Sequence, residues 1–142
     1  MHKSILKLIA VVCLAGLINL TPAHADDLTD LAGKWSLKRK TADGQNVTQQ
    51  LTFKEGKFTF RMMSEGGSTL LYAEGNVKIT TTSGIKVMAL SDLKAGQSDT
   101  DLSPVDEQYS APIRVSGNTC YMAAGLDKER EEGPRMDVYK KE

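Results

Sequence analysis

Turn-forming residues return about every ten positions along this chain, and the segments between them alternate apolar with polar side chains. The turns are Asp43-Gly44, Glu55-Gly56, Glu65-Gly66-Gly67, Ser83-Gly84, Ser116-Gly117-Asn118, Gly125 and Gly133-Pro134. Trp35 and Leu37 share one face of a first strand. Val47, Leu51 and Phe53 do so in a second, Phe58, Phe60 and Met62 in a third, and Val77 and Ile79 in a fourth. Thr69–Ala73, Ile85–Leu90 and Thr119–Ala124 carry apolar residues on both faces. Gln108–Val115 offers Tyr109, Ala111, Ile113 and Val115, and Arg135–Lys141 offers Met136 and Val138. The pattern predicts an all-β fold of eight strands, or nine if Gly75 splits one. A glycine there reads as a bend or bulge within a single strand. Only Ser91–Glu107 is long enough to be a loop, so an antiparallel up-and-down barrel is favoured over a Greek-key sandwich. Helix is confined to a capped turn over Asp27–Ala32 and another over Asp127–Glu132.

Residues 1–25 read as a secretory signal. Lys3 and Lys7 form its basic start, Leu8–Leu20 its apolar stretch, and Ala23-His24-Ala25 a small-x-small cleavage pattern. That stretch is too short to span a bilayer. The expected product is one exported domain over residues 26–142, periplasmic or secreted and monomeric, with no membrane span. The full chain has 18 basic and 18 acidic residues. Loss of the two leader lysines leaves a net charge of about −2, which excludes a basic nucleic-acid footprint.

The leader also carries off Cys13 and both histidines, His2 and His24. Without imidazole, neither a Ser–His nor a Cys–His nucleophile can be assembled, and zinc and iron sites lose their usual ligand. Cys120, flanked by strand residues, reads as a buried thiol. Asp92, Asp99, Asp101, Asp106 and Glu107 lack the spacing of a calcium loop and read as a solvated acidic segment. The methionines are scattered over separate strands and form no copper motif. The expectation is a protein with no catalytic residues, no metal and no cofactor.

Strand parity turns Arg39 toward the side of Trp35 and Leu37, and Gln49 toward that of Val47 and Leu51. Buried polar groups cost several kcal/mol unless they are paired. An interior holding both therefore closes with partners supplied, surrounds a small wet cavity, or brings them to a rim. The cavity reading makes Arg39, Gln49 and Tyr72 polar anchors for a small apolar or amphipathic ligand. Phe60, Met62, Val87, Ile113 and Met136 then form its apolar lining. The competing reading is a module for an envelope protein, acting through Asp26–Ala32 or the acidic 91–107 segment.

Leu31-Ala-Gly-Lys-Trp35, directly after a leader and a short acidic lead-in, resembles the Gly-x-Trp first strand of lipocalins. With the Asp43-Gly44 turn, Leu51–Phe58, Gly66-Gly67 and Arg135…Lys141 in order, the chain is similar to exported bacterial lipocalin-like domains. Val115-Ser-Gly-Asn118 stands near the place of the Thr-Asp-Tyr motif. The resemblance implies an eight-stranded ligand-binding barrel. It also implies a last-strand cation, Lys140 or Arg135, packed across Trp35, with Gly33 and Trp35 as structural signature. Leu31, Gly33, Trp35 and Leu37 further resemble the opening of periplasmic inhibitors of secreted metalloproteases, whose N-terminal tail enters the protease cleft.

Overall fold

The computed structural model describes residues 25–126 and 133–142. Residues 1–24 of the expected leader and the turn expected at 127–132 lie outside the described residues. The elements are α1 (Ala25–Leu31), β1 (Gly33–Lys40), β2 (Asn46–Lys54), β3 (Lys57–Ser64), β4 (Thr69–Thr82), β5 (Ile85–Ser98), β6 (Asp101–Pro104), β7 (Tyr109–Ser116), β8 (Thr119–Ala124) and β9 (Arg135–Lys141). The fold is all-β. Antiparallel pairing runs from β1 through β5, passes to β7, β8 and β9, and returns to β1, giving a closed eight-stranded barrel. β6 is the additional strand, hairpinned onto the far half of β5.

Local chemistry sets the strand ends. Glu55-Gly56 and Ser83-Gly84 are two-residue turns with every φ positive, from +50° to +78°. Such turns match the twist of antiparallel strands and fix the β2–β3 and β4–β5 registers. Gly75 does not split β4; it marks a shift in register against β5. A Cβ at this position would lie 2.6 Å from the Ser91 carbonyl oxygen and 3.0 Å from the Phe58 ring.

The segment 91–107 is not a loop. β5 continues to Ser98, and β6 returns along it with Lys94 beside Pro104 and Ala95 beside Ser103. The sequence pattern hides this because β5 bulges. Glu74 pairs with Lys94 and Asn76 with Ser91, so three steps on β5 match two on β4. Asp92 absorbs the extra residue at φ +51°. A bulge of this kind breaks the period-two alternation at its centre.

Inside the barrel, Trp35, Leu51, Phe53, Phe58, Ile79, Met88, Ile113, Cys120 and Met122 pack as one core. α1 stoppers the end at which β1 begins. Leu31 is wholly buried there, the Trp35 indole N–H donates to its carbonyl oxygen at 2.7 Å, and Asp27 pairs with Lys86. This is the closed end; the β1–β2 and β3–β4 turns lie at the other, open end. The outer wall is cationic. β1, β2, β3, β7 and β8 contain no Asp or Glu, and the single carboxylate of β9, Asp137, is buried.

Candidate functional site

The polar residues of the interior gather toward the open end. Arg39 on β1 and Gln49 on β2 face inward, as strand parity predicts, and meet Tyr139 on β9. A guanidinium only donates, so the Gln49 amide turns its oxygen to Arg39, 2.9 Å from Nε and 3.2 Å from Nη2. Its nitrogen then lies 2.9 Å from the Tyr139 hydroxyl. Alongside, Arg135 donates to Asp137 through Nε at 2.9 Å and Nη2 at 3.3 Å. Gln49, Asp137 and Tyr139 are all buried. Burial first, then the neighbouring Asp137 carboxylate, pushes the Tyr139 phenol far above the ordinary tyrosine range.

β9 therefore faces opposite to the sequence expectation. Its alternation was read with Met136 and Val138 inward, but Arg135, Asp137 and Tyr139 occupy the interior. Met136 is 60% exposed on the outer wall and lines nothing. The reason lies across the barrel, because Arg39 and Gln49 need polar partners and only this parity of β9 supplies them.

Five of the expected ligand contacts, Arg39, Gln49, Phe60, Met62 and Ile113, do face the interior. Ile113 belongs to the closed-end core, whereas Phe60 and Met62 are half-buried and nearer the open end. Val87 is placed on the outer wall: it pairs with Thr80 and Pro112 and alternates with buried Met88. Tyr72 also turns away from the barrel interior, although it is covered there and only 9% exposed. It sits opposite Gly96 and beneath Arg61, whose guanidinium carbon lies 5.5 Å from the ring centre. Burial and then Glu74 raise its pKa. Tyr72 and Val87 lie in segments with apolar side chains on both faces, where alternation cannot name the inside, and Met136 in a strand that alternates equally well with either face inward.

The last-strand cation over Trp35 is Lys141 and not Lys140. Lys141 Nζ lies 5.3 Å from the indole centre, while Lys140 points outward and donates to Thr119 Oγ1 at 2.8 Å. Gly33 makes room for this contact. It adopts φ +117°, and a Cβ there would meet Lys141 Cε at 3.0 Å. The Gly-x-Trp spacing is thus a packing device of the closed end.

Two hollows open on the surface. A notch of about 20 Å³ beside α1, lined by Asp27, Asp30, Ile79, Lys86, Ile113 and Val115, holds little more than one water. The other, about 420 Å³, opens at the lip between β1 and β2 against the β3–β4 turn; Lys38, Arg39, Lys40, Asn46, Val47, Thr48 and Glu65 line it. Arg39 belongs both to this hollow and to the Gln49–Tyr139 network. Among the described residues no three His, Cys, Asp or Glu side chains converge as metal ligands. Cys120 is 1% exposed, and burial lifts its thiol to about 11. No protein-family model, curated protein or solved structure matches the chain.

Proposed function

We propose that this is an exported, non-catalytic, lipocalin-like binding protein that seats a small amphipathic molecule at the open lip of its barrel. The observation that carries the reading is the 420 Å³ hollow in which Arg39 and Val47 meet. Its volume lies within the range of about 300–1,000 Å³ usual for small-molecule sites. The cationic lining suits an acidic head group, and Val47 with the half-buried Phe60 and Met62 beyond it suits a short apolar tail. The deeper interior is occupied by Trp35, Phe58, Met88 and their neighbours, so the site is shallow. Absence of histidine from residues 26–142 and a thiol held protonated by burial support a binding role rather than a catalytic one.

The competing role for Asp26–Ala32 as a free inhibitory tail draws less support, because Leu28 and Leu31 are spent on the barrel's own closed end.

The test is native mass spectrometry of protein from its own compartment, followed by titration of an anilinonaphthalene sulfonate reporter. Arg39→Ala should weaken reporter binding at least ten-fold, the effect of about 1.4 kcal/mol, in protein that circular dichroism shows to be folded. Equal reporter affinity in Arg39→Ala and Val47→Asp would overturn the proposal.

A further inference from the structure

The residues misplaced on the outside of the barrel lie in register with one another. Val87 pairs with Pro112, Ala123 pairs with Met136, and the Ile113–Met122 pair sets Pro112 beside Ala123. One apolar row therefore crosses β5, β7, β8 and β9 on the outer wall. A second row runs next to it, with Arg114 beside Tyr121 and Tyr121 beside Val138. Tyr121 is 37% exposed and Met136 60%.

Cations border this strip. Arg114 and Lys140 stand exposed at its closed-end side, and Lys38 and Lys40 project from the neighbouring β1. Glu142, beyond Lys140, is held in a 2.9 Å ion pair with Lys34, and Lys34 keeps it below the ordinary carboxylate range. Among the described residues, the carboxylates carried by strands are Glu74 on β4, Asp92 and Asp101 on the β5–β6 ribbon, and Asp137, which is buried.

From this juxtaposition we propose that the outer wall over β5, β7, β8 and β9 rests on an anionic lipid surface. A convex wall meets a flat surface along a narrow band, and the strip is two rows wide. The flanking Lys and Arg stems reach past the apolar side chains to place their charges at the phosphate level. An acidic protein would satisfy the charges equally, but a convex apolar strip offers it no pocket for an anchoring side chain.

Flotation with vesicles of phosphatidylcholine containing phosphatidylglycerol, against phosphatidylcholine alone, tests the proposal. The protein should float only with the anionic vesicles and be released by salt. Lys140→Gln and Arg114→Gln should each lower the partition coefficient about five-fold, and Met136→Ser several-fold. Circular dichroism should show all three folded, since their side chains face solvent, and Arg39→Ala should float as the parent does. Absence of flotation with the anionic vesicles would overturn the proposal. So would flotation unchanged in Met136→Ser, or Met136-independent retention on immobilised polyglutamate with no vesicle binding, which would assign the wall to an acidic macromolecule.

Discussion

The closed end of the barrel is filled by Leu31, Trp35, Ile79 and Met88, each 1% exposed or less, whereas the open end is filled by Arg39, Gln49, Arg135, Asp137 and Tyr139. The same alternating pattern and the same strands make both. Apolar packing at one end needs only volume, and many substitutions of similar size meet that need. Polar packing at the other needs a partner for each donor and acceptor, so it dictates which face of β9 turns inward. The closed end accordingly carries stability, and the open end carries orientation and the lip on which a ligand has somewhere to sit.

The division breaks most sharply at Trp35. Trp35→Ala should cost about 3–5 kcal/mol in urea unfolding, from lost volume and the lost bond to Leu31. Arg39→Ala, which leaves the buried Gln49 amide oxygen without its donor, should cost about 1–3 kcal/mol. Equal losses would erase the contrast.

Alkaline titration probes the level where the two ends meet, since Cys120 pairs directly with Tyr139 across β8 and β9. The thiol of Cys120 is raised from 9.0 to about 11 and the phenol of Tyr139 above 10.0, so both groups ionise sooner in the unfolded chain. Stability should be full below about pH 9 and fall as pH rises toward 11, by about 2–3 kcal/mol from Cys120 alone. Cys120→Ala should flatten the first part of that fall, and Tyr139→Phe the part above pH 10, measured by urea midpoints across pH.

Asp137→Asn leaves the fork of Arg135 without its carboxylate and should cost about 1–3 kcal/mol. A cost below about 0.5 kcal/mol would mean that Arg135 turns to solvent and the open end is not a built network. Smallest is Lys141→Ala, which removes the cation over Trp35 and should lower stability by about 0.5–1 kcal/mol. Lys140→Ala, whose side chain meets only Thr119 at the surface, should leave it unchanged.

The strand count, the barrel and the inward direction of Arg39 and Gln49 were legible because alternation and turn chemistry are local signals. The orientation of β9 was not. Arg135-Met136-Asp137-Val138-Tyr139 alternates as cleanly with either face inward, and only the need of Gln49 for a partner 90 positions away decides. The choice of Lys141 over Lys140 follows from the same one-residue parity. The β6 ribbon was hidden by the bulge at Asp92, a non-glycine residue at positive φ that leaves no compositional mark. Hydrophobicity alone favours Val87 and Met136 inward, but β5 has a second apolar face and β9 turns a polar face to the partners inside.

The seam between β1 and β9 joins only Trp35 to Lys141 and Ser36 to Lys140, reinforced by the Glu142 amide on the Lys34 carbonyl at 2.9 Å. These contacts span almost the whole described chain, so the circle cannot shut until the last residues have arrived. In a polypeptide threaded outward from its N-terminus, β1 would wait with one bare edge while every other strand finds its neighbour. Cutting the final few residues would then leave a sheet with two open margins, prone to pairing with its own copies. Lys140, Lys141 and Glu142 thus guard the first strand against the wrong companion.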